Sequence, residues 1–276
     1  QSTFFHTSAW ARVLSESYKY KPLYFTSIDN GKISALIPVM EVKSFITGKR
    51  GVSLPFTDYC QPIVSGETDS QKDIDELIDY GKKAGWGYIE WRGGERCFDG
   101  VKPYVFFYVD MLDLNKSRKE TFTGFKGNTR RNINKAIREE VHVKIKNTLE
   151  SVREFYRLHC TTRKFHGVPP QPFKFFKKIY EHIISQEKGF IVIAEHQKEP
   201  IAGAVFFGFG GKGIYKFSAL DRSYQHLRPN NLVIWEAIKW YARNGFMSLS
   251  FGRTEPENSG LLQFKRGWGI KKHVMG

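Results

Sequence analysis

Hydrophobic positions along this chain change period several times, and the changes mark out elements. Trp10, Val13 and Leu14 recur at helical spacing behind Thr7 and Ser8, either of which can cap a helix running to about Ser17. Leu23 to Ile28 and Ile33 to Val42 are β-rich runs joined by Asp29-Asn30-Gly31, which predicts a hairpin with an Asn-Gly turn. Val52 to Pro55 predicts a short strand ahead of the irregular stretch from Phe56 to Pro62. A helix is expected over Ser70 to Ala84, ended by Gly85, with strands over Trp86 to Trp91 and Tyr104 to Met111.

The second half runs through a similar order. Two helices, over about 148–165 and 172–187, lead to strands at Phe190 to Glu195 and Ile201 to Phe209, joined by the turn-like Gln197-Lys-Glu-Pro200. Gly213 to Leu220 predicts a third strand. A helix opens at Pro229, a favoured first-turn position, and ends near Gly245, with a strand at Met247 to Phe251. The two helix-to-strand joints share a design. In Lys83-Ala-Gly-Trp-Gly-Tyr-Ile-Glu-Trp-Arg-Gly-Gly-Glu95 and Arg243-Asn-Gly-Phe-Met-Ser-Leu-Ser-Phe-Gly-Arg-Thr-Glu255, a Gly ends the helix, an aromatic follows, and a strand runs into a Gly/Arg/Glu loop. A duplicated α/β lobe explains the match, with lobes expected at 1–147 and 148–276 and the chemistry in the second.

Charge sharpens this picture. The formal net charge is +15, and much of it is local: from Lys116 to Lys146 ten Lys/Arg face three acids, Glu120, Glu139 and Glu140. Solvated charge alone would scatter, so the run predicts an anionic partner: nucleic acid, a phosphorylated precursor or an acidic membrane surface. Lys265, Arg266, Lys271 and Lys272 form a second basic cluster. Cys60, Cys97 and Cys160 form no CxxC pair, which speaks against a disulfide framework or zinc site and suggests a reducing cytoplasm. No apolar run is long enough to span a bilayer, and the first residues lack a signal-peptide layout, although the chain starts on Gln1 rather than Met.

GxSxG, GxxxxGK[ST] and HExxH patterns are absent from the sequence, so hydrolase and metal chemistry have little support and no metal is expected. Two late segments carry the positive signals. Leu220 to Asn231 runs from a strand through a polar loop, with Arg228 standing before the Pro229 helix, whose first N–H groups can face an anion; Asn230 and Asn231 lie in that turn. Phe251 to Gly269 runs from a strand end through Gly252-Arg253 to a short helix that delivers Lys265 and Arg266 into a glycine-flanked turn. Strand ends of open α/β sheets are where ligands bind.

Arg163-Lys-Phe-His-Gly-Val-Pro-Pro-Gln-Pro172, Leu227-Arg-Pro-Asn-Asn-Leu-Val-Ile-Trp-Glu-Ala-Ile238, Phe264-Lys-Arg-Gly-Trp-Gly269 and Arg130-Arg-Asn-Ile-Asn-Lys-Ala136 resemble segments of the Fem family. These are the peptidoglycan interpeptide-bridge aminoacyltransferases and their acetyltransferase-like relatives, and the branch accompanying exopolysaccharide and exosortase loci looks most similar. The resemblance spans about 120–276 strongly and 1–110 in element order. It implies an α/β (α+β) fold of two tandem GNAT-like acyl-CoA N-acyltransferase lobes, each a mixed sheet flanked by helices. It also implies an aminoacyl-tRNA donor and an amine acceptor on a phosphorylated cell-wall or glycan precursor. The GNAT pattern Q/R-x-x-G-x-G/A is replaced here by Arg228-Pro-Asn-Asn-Leu-Val, which lowers the expectation of acetyl-CoA. Long helical arms, common in tRNA-using members, are not evident either.

The expected function is therefore transfer of an aminoacyl or acyl group onto an amine, with no tightly bound cofactor and the donor open between aminoacyl-tRNA and an acyl-CoA. Lys265 is the expected cation at the oxyanion or donor phosphate, a role that the resemblance also implies. Arg253 and Arg228 are secondary anion contacts, and Glu255 and Asp58 are carboxylates that could take the amine proton. Arg130, Arg131 and Lys135 are expected to hold phosphates, and Tyr59 and Phe56 to line an acceptor groove. Lys265→Ala is expected to cut turnover sharply while leaving folding intact. Two alternatives stay open: an acetyl-CoA-dependent N-acetyltransferase, and a non-catalytic binder of an anionic polymer.

Overall fold

The structure, a computed structural model, describes residues 2–65, 70–93 and 102–275. The chain divides into two compact units, Gln1–Phe106 with Met275–Gly276, and Phe107–Val274.

In the first unit, Thr7 caps α1 (Ser8–Tyr18) by accepting from the Trp10 N–H, and Trp10, Val13 and Leu14 are fully buried. β1 (Lys21–Asp29) and β2 (Lys32–Ser44) form the expected hairpin; Asn30 and Gly31 both have positive φ, as a two-residue turn between twisted strands requires. β3 (Gly48–Val52) extends the sheet antiparallel to β2, the two-residue β4 (Ile63–Val64) pairs with the start of β2, and α2 (Ser70–Lys83) leads to β5 (Ile89–Glu90), parallel to β3. Only Ile89 and Glu90 of the expected 86–91 strand pair, and the expected 52–55 strand lies earlier, at 48–52. Ile37 and Val39 of β2 pack on Ile74 and Leu77 of α2, with Trp86 and Ile89 beside them.

In the second unit, β6 (Phe107–Asp113) is followed by α3 (Arg118–Gly124), α4 (Gly127–Arg138) and β7 (His142–Lys146). Then come α5 (Leu149–Phe165), α6 (Phe173–Ile179) continued by a π-helical turn at Tyr180–Ile184, β8 (Gly189–His196), β9 (Glu199–Phe209) and β10 (Lys212–Leu220). A 3-10 turn (Arg222–Leu227), α7 (Pro229–Arg243), β11 (Ser248–Thr254), α8 (Ser259–Arg266) and β12 (Lys271–Met275) complete it. The seven strands lie in the order β12-β6-β11-β10-β9-β8-β7. A continuous core draws on α4, α7, β8, β9 and β11, including Ile133, Trp235, Ile238, Tyr241 and Phe251, and on Trp268 from the turn after α8.

The expected division at 147/148 is corrected. Residues 107–147 belong with the second unit, because β6 pairs with β11 and β7 pairs with β8. The basic run is also partly neutralised. Lys144 and Lys146 bond Glu195 at 2.6 and 3.3 Å, and Lys146 bonds Glu154 at 2.8 Å.

The duplicated joint is visible in detail. Both units contain a strand, a crossover helix and a parallel neighbour: β3–α2–β5 and β10–α7–β11. Gly85 and Gly245 each have φ of +74°. The next residue's N–H reaches five residues back in both, Trp86 to Gly81 O at 2.9 Å and Phe246 to Tyr241 O at 3.1 Å. This is the same left-handed helix ending twice. Each following aromatic then lies on a strand glycine: the Trp86 ring against Gly51 of β3, and the Phe246 ring against Gly208 of β9. The aromatic is anchored by a missing Cβ in both cases. Gly94 and Glu95 of the first joint, and Cys97, lie outside the described residues.

Two tests follow from this packing. Gly51→Ala places a methyl inside the Trp86 ring, so thermal unfolding should show roughly 1–3 kcal/mol of destabilisation. For Glu195, burial alone would raise the carboxyl pKa, but the Lys144 and Lys146 ammoniums bring it below the usual glutamate value. A depressed carboxylate contributes stability above its unfolded pKa and loses it as pH falls. Glu195→Gln should therefore cost about 1–2 kcal/mol at neutral pH, and the melting points of variant and parent should converge as pH drops through about 4.

Candidate active site

β10 and β11 run parallel but pair only at Lys212↔Ser248, Gly213↔Leu249 and Ile214↔Ser250. Past Ile214, β10 continues to Leu220 paired with β9, where Leu220 meets Ala202. Past Ser250, β11 shifts register and follows β6, pairing Arg253 with Val109 and Thr254 with Tyr108. Two strands that begin side by side and then follow different neighbours leave a wedge between them, widening toward their C-terminal ends. Buried backbone groups need partners, and at its end β10 takes them from a side chain. Thr162 of α5 accepts from the Leu220 N–H at 2.9 Å and donates to Leu220 O at 3.2 Å.

α7 links the C-terminal end of β10 to the start of β11, so its N-terminus lies at the open end of this wedge. Arg228, exposed and left-handed at φ +61°, precedes it, and Pro229 occupies the first position. Asn230 is half-buried and Asn231 buried. Pro229 has no N–H, and the Asn231 N–H is spent on Arg228 O at 3.1 Å. The first turn thus offers fewer amides to an anion than an ordinary helix start.

Lys265 stands on α8 with only 3% of its surface exposed. Its Nζ donates to Gly252 O at 3.0 Å and Arg253 O at 3.3 Å, and lies 3.7 Å from Asp110 Oδ2. The bulge that turns β11 away from β10 thus turns two carbonyls onto a buried ammonium. Asp110 sits on β6 opposite this bulge, 1% exposed; burial pushes its carboxyl pKa up, and the Lys265 ammonium counters that. Ser250 Oγ accepts from the Gly252 N–H at 3.2 Å, closing the bulge from below. Thr254 Oγ1 and Trp268 Nε1 are buried without a hydrogen-bond partner among the described residues, and Asp110 Oδ2 has the Lys265 ammonium at ion-pair rather than hydrogen-bond distance, so weakly met polar atoms gather around one strand end.

The turn after α8 brings the basic helix α4 to the same region. The Lys126 N–H donates to Gly267 O at 2.9 Å, and a Cβ at Gly267 would overlap Thr129 Oγ1. Gly269 packs so close to Gly124 O that a Cβ would come within 2.9 Å. Both glycines of the Gly-Trp-Gly turn are therefore close-approach positions. Arg130 is half-buried with its Nε unpartnered among the described residues, Lys135 is half-buried, and Arg131 is exposed.

Of the expected residues, the structure gathers Lys265, Arg253 and Glu255 at the end of β11, Arg228, Asn230 and Asn231 at the start of α7, and Arg130, Arg131 and Lys135 on α4. The Arg253 guanidinium lies 4.3 Å from the centre of the Phe107 ring, and Glu255 is exposed in the turn after β11, its carbonyl accepting from Asn258. Asp58 and Tyr59 lie in the first unit, between β3 and β4. Both are half-buried, and burial raises the Tyr59 hydroxyl pKa. Asp110 was not singled out by sequence. Its signal is an acid inside the apolar run Phe106-Phe-Tyr-Val-Asp-Met-Leu112.

The burial of Lys265 argues against the expectation that Lys265→Ala leaves folding intact. Removing the ammonium strands the Asp110 carboxylate and two carbonyls, so Lys265→Ala should lose about 3–5 kcal/mol in urea unfolding. Asp110→Asn combined with Lys265→Gln removes both charges and keeps a donor for the carbonyls, and should recover most of that loss.

Comparison with known proteins bears on the fold. The chain is similar in fold to FemX (TM-score 0.72, 11% identity, covering 99% of this chain and 90% of that one). It is also similar to the C-terminal domain of a putative lysylphosphatidylglycerol synthetase from Agrobacterium fabrum (TM-score 0.63, 10% identity, covering 98% and 86%). A tandem GNAT protein from the clavulanic acid biosynthesis pathway superposes with TM-score 0.60 at 8% identity, covering 95% and 84%. No curated protein matches by sequence. The acetyltransferase (GNAT) domain family matches residues 124–266, just over half of the chain, which take in α4, the whole β10–α7–β11 wedge and Lys265. The chain belongs to the GNAT acetyltransferase-domain family, and its fold is the tandem, Fem-like form of that α/β architecture.

Proposed function

We propose that this acyltransferase is Fem-like in its reaction as well as its fold, moving an aminoacyl or acyl group onto an amine of a cell-wall or exopolysaccharide precursor. The observation that carries the reading is the β10–β11 wedge, opened by a bulge whose carbonyls rest on buried Lys265. An acyl donor laid along the wedge can pair with the backbone edges that the strands no longer share, which fixes its carbonyl in place. The acceptor amine attacks that carbonyl carbon, a C–N bond forms, and the oxyanion collapses as the bond to the donor's ester or thioester atom breaks. The amine proton leaves to a carboxylate, for which exposed Glu255 is the candidate, and the departing group takes up a proton. Lys265 supplies fixed positive charge beneath the strand end, with Arg253 beside it.

Support for a donor other than acetyl-CoA comes from the start of α7, where Pro229 lacks an N–H and the Asn231 N–H is already used. The resemblance to Fem proteins and the likeness to a protein named as a lysylphosphatidylglycerol synthetase favour an aminoacyl donor. The half-buried Arg130 and Lys135 on α4, with Arg131 and Arg228, supply positive charge for a phosphorylated partner. Acetyl-CoA is the second reading, favoured by the name of the family that matches 124–266.

A transfer assay decides between them. Labelled amino acid should move from its tRNA ester to an amine-bearing precursor with the parent protein. The folded Asp110→Asn/Lys265→Gln variant should be slower by about a hundredfold or more. Clear thermal stabilisation by acetyl-CoA, together with acetyl transfer at least as fast, would replace the aminoacyl reading with the second one.

A further inference from the structure

The turn between β2 and β3 presents two apolar side chains that the fold does not use. Phe45 and Ile46 are 106% and 91% exposed, whereas Phe4, Phe5 and Trp10 of the same unit are at most 1% exposed. The turn is closed by its own side-chain hydrogen bonds. Ser44 Oγ accepts from the N–H groups of Ile46 and Thr47 at 3.2 and 3.3 Å, and Arg50 Nη1 donates to Thr47 Oγ1 at 2.5 Å. Phe45 and Ile46 are therefore held out by local hydrogen bonds at the tip of a paired hairpin.

The surroundings of the tip are basic. Lys43 and Lys49 sit directly opposite one another across the strands, a pairing that costs stability unless something neutralises it. Arg50 follows, 5.9 Å from the ring of half-exposed Tyr88, and Lys49 Nζ donates at 3.3 Å to the carbonyl of Ala84, just past α2, whose last turn carries Lys83 and the Asp79-paired Lys82. No acid occurs between Glu41 and Asp58 in the sequence. At the other end of β2, in the β1–β2 hairpin, Ile28 and Ile33 are also exposed and paired, but Asp29 sits beside them opposite Lys32, so that end has no matching charge ring.

We propose that the Phe45-Ile46 tip is a membrane-docking finger for an anionic bilayer surface. Phe45 and Ile46 enter the headgroup–acyl boundary, and Lys43, Lys49 and Arg50 bind lipid phosphates, with Tyr88 at headgroup level. Two side chains on a narrow tip cover far less than the roughly 1,000 Å² that a stable protein contact needs. A bilayer asks only for insertion of apolar groups beneath a basic collar, which is what the tip offers. This inference rests on the first unit alone and does not depend on the proposed reaction.

Co-sedimentation of the full chain with vesicles tests it. The parent should bind vesicles of phosphatidylcholine mixed with phosphatidylglycerol and bind phosphatidylcholine alone much more weakly. Phe45→Ser/Ile46→Ser should weaken that binding about tenfold or more with an unchanged melting point. Lys43→Ser should weaken it about fivefold at low salt, with the difference shrinking as salt rises. Equal binding by the double-serine variant would overturn the proposal. So would loss of self-association in that variant, by sedimentation velocity, with no change in lipid binding, since the tip would then meet a second copy.

Discussion

A buried ammonium between a carboxylate and two backbone carbonyls is the interaction on which the candidate active region depends. β11 cannot leave β10 without a bulge, and a bulge leaves carbonyls that need donors in a place water does not easily reach. Lys265 meets the carbonyls of Gly252 and Arg253, and Asp110 on the neighbouring strand balances its charge. With that arrangement in place, β11 can follow β6 while β10 follows β9, and a wedge exists between two strands of one continuous sheet. The cost of burying the pair is offset only because all three partners are present together. Shape and electrostatics at the site are thus one feature.

The repeated strand–helix–strand unit shows the same constraint with and without that device. In the first unit, β3 and β5 pair parallel over two residues, and in the second, β10 and β11 pair over three. Both crossover helices end on a left-handed glycine, followed by an aromatic seated on a strand glycine. The second unit adds α8, the Gly-Trp-Gly turn and α4, and with them Lys265 and the basic side chains. The basic character of the chain has several separate destinations: paired with acids on β7, held at α4, and displayed around the β2–β3 tip.

Much of this was legible in sequence because it rests on local chemistry. The Asn30-Gly31 turn, the Thr7 cap, the helix endings at Gly85 and Gly245 and the Pro229 helix start are each decided by a few neighbouring residues. What the sequence hid depends on distant partners. His142 to Lys146 looks like part of a charged run, yet its alternation makes it an edge strand whose lysines meet Glu195 and Glu154 from elsewhere in the fold. The boundary at 107 was missed for the same reason, since β6 is defined by its pairing with β11 far along the chain. Lys265 was visible as a cation in a glycine-flanked turn, but its burial was not, because Asp110 lies more than a hundred residues away. The glycines at 267 and 269 were seen as a turn; only the approach of Thr129 and Gly124 explains why a Cβ is excluded there.

The central claim is that the acyl donor lies in the wedge between β10 and β11. Amide hydrogen exchange, with and without a non-transferable analogue of the donor that the protein turns over, tests it most directly. The account predicts new protection in residues 215–220 of β10, residues 251–254 of β11 and the first turn of α7. Protection confined to other strands, or none in either wedge strand with the analogue bound, would contradict it.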